Sequence, residues 1–161
     1  MRSQSSGFTL IELITVITII GVLAVVVGPR FASTDVFEER TFFDGVAQAV
    51  RFAQAKALGS GCITQVQFSG SGFSVTVDSD CDSAAFAGAA VVNPDGFDSG
   101  YTELSPLPGG VSYSATVNPL LFDPQGRAMN SGLAILSGEA VISVGARELR
   151  VVGETGYVYQ P

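Results

Sequence analysis

Residues 8–27, FTLIELITVITIIGVLAVVV, are apolar at nearly every position. A helix rises 1.5 Å per residue, so about 20 residues reach about 30 Å, the thickness of a bilayer's hydrocarbon core. The β-branched content would suit a strand, but the run is far longer than strands are, and in lipid only a helix satisfies its own backbone. The pattern therefore predicts a transmembrane helix over residues 8–28. Beyond Pro29 the period changes. Phe43, Val46, Ala47, Val50, Ala53 and Ala57 recur at i, i+3, i+4 and i+7, while Glu39, Asp44, Gln48, Arg51 and Lys56 fall largely outside that stripe. This predicts an amphipathic helix over 29–58 that lays one face on a core. Between the two, Gly28 and Pro29 are expected to kink or locally melt the helix, because proline lacks an N–H and its ring crowds the preceding turn. Gly59-Ser60-Gly61 stops the second helix, with Gly59 suited to a left-handed C-cap.

From residue 59 onward the chain reads as a separate head of short strands divided by Gly, Pro, Asn and Asp. Candidate strands are 62–69, 73–78, 111–117, 119–123, 133–137, 140–144, 147–152 and 156–159. Alternation is clearest in Val111-Ser112-Tyr113-Ser114-Ala115-Thr116-Val117, which gives one buried and one wet face. Gly138-Glu139 and Gly145-Ala146 fit tight hairpin turns. The helix offers one apolar face and the strands another, so the fold class is α+β, a long N-terminal helix packed on an antiparallel sheet. If Gly70-Ser71-Gly72 is the turn between Ser69 and Phe73, paired positions sum to about 142, and Cys62 lies opposite residue 80, one place from Cys81. A Cys62–Cys81 disulfide would close the hairpin's open end and contribute roughly 3 kcal/mol. It also places the head in an oxidising compartment.

At 161 residues the chain suits one compact domain. Only 14% of residues are charged, 47% are hydrophobic and the mean hydropathy is +0.40, so apolar surface is left over for lipid or partners. The absence of His removes histidine general bases, the Ser-His-Asp arrangement and most zinc and haem sites. No glycine-rich phosphate loop opens a helix, no cofactor is expected and the chain does not read as an enzyme. The net charge of −7 opposes nucleic-acid binding. Between Lys56 and Arg127 there is no basic residue, and Asp78, Asp80 and Asp82 stand at alternate positions. They resemble the opening of a calcium loop, but the following Gly and the distal Glu are missing, so the preferred reading is a solvated acidic loop and the calcium candidate is weak.

Glu12 does not fit a plain anchor. A carboxylate within an apolar run costs roughly 2.5–3.5 kcal/mol at mid-membrane, less near an interface, and calls for a cationic partner. Cutting the chain after Gly7 would create an α-ammonium on Phe8 at about that depth, in the same helix or in a staggered neighbour. Gly7-Phe8-Thr9-Leu10-Ile11-Glu12 followed by an uninterrupted apolar helix resembles the type IV pilins and the pseudopilins of type II secretion. The resemblance implies cleavage after Gly7 and methylation of the Phe8 amine by prepilin peptidase, with Glu12 registering incoming subunits. It also implies the type IV pilin-like roll, in which Pro29 falls where many pilins carry a kinking proline.

Phe122-Asp123-Pro124-Gln125-Gly126-Arg127 and the terminal Glu154-Thr155-Gly156-Tyr157-Val158-Tyr159 are similar to the H-type pseudopilin and FimT-type minor pilin subgroup. DNA-binding members carry arginines after that final Gly. Here the places are taken by Tyr157 and Tyr159, so nucleic acid is not the expected partner, and Arg147 and Arg150 read as solvated strand residues. The resemblance implies a leader (1–7), a transmembrane helix (8–28), an amphipathic helix (29–58) and a periplasmic or extracellular β-rich head (59–161). The protein would be a minor pilin or pseudopilin, single-pass in the bacterial inner membrane and then part of a filament. Its partners would be other subunits, through the N-terminal helix, with prepilin peptidase and the inner-membrane assembly platform. The alternative is a tip binding module for DNA uptake or adhesion, in which Tyr101, Tyr113, Tyr157 and Tyr159 would stack on a ligand.

Overall fold

In the computed structural model, which describes residues 9–27, 34–70, 72–81, 86, 107 and 109–161, the chain divides into two units, Met1–Phe37 and Glu38–Pro161. The first carries helix α1, Leu10–Val27. Thr9 starts it: the Glu12 N–H donates to Thr9 O at 3.1 Å and to Thr9 Oγ1 at 3.4 Å, and the Leu13 N–H donates to Thr9 O at 3.2 Å. A side-chain oxygen at this position takes up a backbone donor that the first turn leaves free. Among the described residues no helix is long and apolar enough to cross a membrane. The span expected over 8–28 runs past them at both ends, and the expected kink at Gly28 and Pro29 likewise lies outside the described residues.

Helix α2 spans Thr34–Ser60. Its end corrects the expected cap. Gly59 is helical, and Gly61 is the left-handed residue, with φ +71° and its N–H donating to Ala57 O at 3.0 Å. Phe43, Val46, Ala47, Val50, Ala53 and Ala57 are all buried, as the stripe predicts. Phe42 and Ala49 are buried too, so the covered face is wider than the stripe.

The width follows from a head with two sheets rather than one. Strands β1 (Thr64–Ser69), β2 (Gly72–Val77), β4 (Leu120–Phe122) and β5 (Ala128–Met129) form one sheet in the order β2-β1-β4-β5. Strands β3 (Tyr113–Ala115), β6 (Glu139–Val144), β7 (Arg147–Val152) and β8 (Val158–Tyr159) form the other in the order β3-β6-β7-β8. All the pairings are antiparallel. Phe42 reaches both sheets, with its ring centroid 5.9 Å from Phe73 on β2 and 5.8 Å from Tyr113 on β3. The Tyr113 hydroxyl donates to Gly72 O at 2.8 Å, a direct bond between the sheets. Each large apolar side chain buried in such a core contributes roughly 1.5–3 kcal/mol. The helix face and the inner faces of both sheets therefore carry most of the head's stability.

Four expectations about the strands change. Residues 133–137 are not a strand, and only Ile135 bridges to Met129. Leu133 sits at φ +61°, and the Asn130 side chain accepts from Gly132 N–H at 2.9 Å and Ala134 N–H at 3.2 Å, which curls the segment into a loop. The turn expected at Gly138-Glu139 is accordingly no hairpin, because Glu139 already opens β6. Strand β5 was not foreseen, being two residues long. In the first hairpin Ser69 pairs with Gly72, so paired positions sum to 141 and the register is one residue tighter than expected.

Cys62 and Cys81 are nevertheless disulfide-bonded, since both lie beyond the last rung, where the chain ends remain close. Replacing both by Ser should lower the unfolding free energy by about 3 kcal/mol for a loop of this size. The measurement is the urea midpoint against the oxidised parent; an unchanged midpoint would mean the hairpin holds its register without the clip.

Candidate functional site

The described side chains of α1 are exposed, among them Leu10, Ile11, Leu13, Ile17, Val22 and Leu23. The helix's hydroxyls are turned inward on its own backbone. Thr15 Oγ1 donates towards Ile11 O at 3.0 Å and Glu12 O at 2.8 Å, and Thr18 Oγ1 towards Ile14 O at 2.9 Å and Thr15 O at 2.8 Å. Threonine satisfied in this way adds little polarity to the helix surface. Glu12 is the acidic residue of the first turn, where a carboxylate also complements the helix dipole. It is the polar exception on an apolar rod. Gly7 and Phe8, the expected cleavage and methylation positions, lie outside the described residues.

In the head, the segment from Phe122 to Arg127 is built on Asp123, which sequence reasoning noticed only as part of a turn. Asp123 is 4% exposed. Its Oδ1 accepts from Gln125 N–H at 3.0 Å and Arg127 N–H at 2.8 Å, and its Oδ2 accepts from Arg127 Nε at 2.7 Å. The Arg127 side chain is only partly covered, so the ion pair alone is worth modest energy and the backbone bonds matter more. Asp123→Ala should cost about 2–3 kcal/mol by orphaning those donors, whereas Asp123→Asn, which keeps one acceptor, should cost less. Thermal unfolding of both variants checks this; equal losses would contradict the backbone role.

The loop is bolted to α2 and to the chain's end. Gln54 Nε2 donates to Gly126 O at 3.0 Å and to Thr155 O at 3.1 Å. Gly126 has φ +80° and Gly156 φ +64°. A Cβ on Gly156 would collide with Gly126 O and with Gln54 Nε2. The two terminal motifs thus meet at one point, held by a side chain that no sequence pattern singled out.

On the second sheet, Arg150 Nη2 donates to Glu148 Oε2 at 3.0 Å and Nη1 to Glu139 Oε2 at 3.4 Å, and the Tyr159 hydroxyl donates to Glu139 Oε1 at 2.7 Å. The bond to Glu148 holds the Arg150 guanidinium above its ordinary value, and the bond to Glu139 raises the Tyr159 phenol. Burial raises Tyr113, offset in part by a hydrogen bond from the Ser69 backbone. A raised phenol binds its proton more tightly in the folded chain. The stability it contributes is therefore present below the ordinary tyrosine pKa and is lost as pH rises through the folded value. Urea midpoints measured through the alkaline range should fall more steeply in the parent than in Tyr113→Phe, and parallel curves would overturn this. Arg147 lies over the Phe43 ring at 5.9 Å. Tyr157 is 64% exposed and stacks with Tyr159, their centroids 5.9 Å apart and their planes 16° apart.

The acidic loop is not uniformly solvated: Asp78 is buried, its N–H donating to Ile63 O at 2.8 Å, while Asp80 is exposed. Asp82 lies outside the described residues. Among the described residues no group of three or more His, Cys, Asp or Glu could hold a metal ion. A shallow cleft of about 460 Å³ is lined by Arg127, Ile135, Leu136, Ser137 and Glu154, but Arg127 is committed to Asp123.

Comparison with known proteins places these features. The model of the prokaryotic N-terminal methylation motif matches residues 2–28, and that of the type II transport protein GspH matches residues 44–156. The crystal structure of the type IV minor pilin FimU from Pseudomonas aeruginosa aligns with a TM-score of 0.54 at 12% identity, covering 80% of this chain and 91% of that one, a likeness of fold. No functionally curated protein matches. With a methylation motif matched over its N-terminal apolar helix and a head matched to GspH over residues 44–156, the chain belongs to the GspH family of type IV pilin-like proteins.

Proposed function

We propose that the protein is a minor subunit of a type II secretion pseudopilus or a type IV pilus, a structural component rather than an enzyme. Residues 8–28 anchor the precursor in the inner membrane with the head in the periplasm. Prepilin peptidase cuts after Gly7 and methylates the Phe8 amine. The assembly platform then draws the helix out of lipid into a bundle with the helices of other subunits, trading lipid contacts for helix packing. Glu12 pairs with the Phe8 ammonium of a neighbour and sets the axial register. Gly28 and Pro29 give the rod a bend where it leaves the membrane.

The observation that carries this reading is the methylation motif over residues 2–28, with Glu12 capped by Thr9 in an otherwise apolar helix whose described side chains are exposed. Mass spectrometry of the protein from its native cells tests it. The mature chain should begin at methylated Phe8 and be recovered with sheared or extracted filaments. A chain that begins at Met1 in those filaments would sink the proposal.

The reading as a DNA-uptake tip gains no support from the described residues of the head. Both terminal nitrogens of Arg150 already face carboxylates, and the surrounding charge is acidic.

A further inference from the structure

We propose that the outward face of the second sheet, from Glu139 on β6 to the Tyr157–Tyr159 pair at β8, binds a neutral glycan. Directly paired residues share a face of an antiparallel sheet, and alternate residues return to it. Val141, Arg150 and Tyr159 form one row across β6, β7 and β8. Glu139, Ser143, Glu148 and Tyr157 stand two places from members of that row, on the same side. The opposite side, with Ala140, Ile142, Leu149, Val151 and Val158, is buried in the core. The outward face is thus a rigid surface whose backbone is fixed by the residues between its own.

Its chemistry selects the ligand. Tyr157 keeps most of its ring in solvent although both its neighbours, Gly156 and Val158, are buried, so the fold does not need the ring where it stands. Tyr159 backs it in a near-parallel stack and is itself fixed by its bond to Glu139. An aromatic face held in place is a platform for the C–H face of a pyranose or for a nucleobase. Charge decides between them. Two carboxylates, Glu139 and Glu148, surround one guanidinium, and both of its terminal nitrogens are engaged at 3.4 and 3.0 Å. A phosphate backbone would meet net negative charge and no uncommitted cation on this face. A neutral sugar would instead find carboxylate acceptors and the Ser143 hydroxyl for its own hydroxyls. The inference rests on the head surface alone and holds whether the filament belongs to secretion or to a pilus.

The test uses the full chain in a detergent that lacks a sugar headgroup. Calorimetric titrations with β-1,4-linked hexamers of glucose and of N-acetylglucosamine are compared with a titration by a single-stranded DNA twelve-mer. Binding of at least one sugar at submillimolar to millimolar concentration is expected, and it should weaken about tenfold or more in Tyr157→Ala while Tyr157→Phe stays within about twofold, because the ring face and not the hydroxyl makes the contact. Tyr157 is exposed, so both variants should keep the parent's unfolding midpoint. Silence with both sugars, an unweakened Tyr157→Ala, or tighter binding of the DNA would each overturn the proposal.

Discussion

Replacing Gly156 by Ala should cost about 4 kcal/mol of unfolding free energy, enough to threaten a head whose total stability is of the usual 5–15 kcal/mol. Two effects add. The backbone at φ +64° is left-handed, which costs a residue with a Cβ about 1–2 kcal/mol. The new methyl group would also collide with Gly126 O, a backbone atom that cannot swing aside, and with Gln54 Nε2. Relief requires the terminal strand to lift, which breaks the two Gln54 hydrogen bonds and orphans partly buried carbonyls at about 1 kcal/mol or more each. The control is Gly138→Ala: nothing lies within 4 Å of a Cβ there and its φ is not positive, so its unfolding free energy should shift by less than about 0.5 kcal/mol. Chemical denaturation of the two variants decides the matter. Similar midpoints would mean that the junction of the two terminal motifs yields without loss.

Glu12→Ala should leave the protein in the membrane and keep it out of the filament. The substitution removes a group that lipid disfavours, so insertion becomes easier rather than harder. What it would remove from assembly, on the function proposed above, is an attraction to the Phe8 ammonium of an adjacent subunit, and opposite charges attract more strongly in an apolar surrounding than in water. A fall of about tenfold in the incorporated fraction corresponds to only about 1.4 kcal/mol, well within reach of such a pair. Glu12→Gln preserves size and polarity without charge and should lose about as much as Ala. Fractionation of membranes and filaments, with immunoblotting of each, gives the ratio. Normal incorporation of either variant would count decisively against the electrostatic register.

The helix stripe of the head was legible because its period is local: each of its six apolar positions is set by the same 3.6-residue turn. Phe42 and Ala49 were not legible, because their burial depends on a second sheet whose existence is a long-range fact. The segment 133–137 has strand composition, but Asn130 offers its carbonyl oxygen to two backbone donors and bends the chain first. Register illustrates a finer limit. Gly70, Ser71 and Gly72 all read as turn, yet Gly72 pairs with Ser69 at the start of β2, and one residue separates the two counts. The disulfide survived that slip because both cysteines sit past the ladder. Asp123 was legible only as one place in a turn motif, and Gln54 belonged to no motif. Their importance lies in what they touch, and only coordinates disclose that.

The clip between Cys62 and Cys81 also has a mechanical consequence. Helix α2 ends at Ser60, so tension transmitted along it arrives at the sulfur bridge before it reaches the first rung of the β1–β2 hairpin. The load then crosses to Cys81 and continues towards the C-terminus, leaving the hairpin slack. With a sequence separation of 19, the bypassed loop would add about 60–70 Å of contour length if it could pay out. While the bridge is closed that length is withheld, and ladder bonds worth about 1 kcal/mol apiece are shielded from the pull by a covalent shunt.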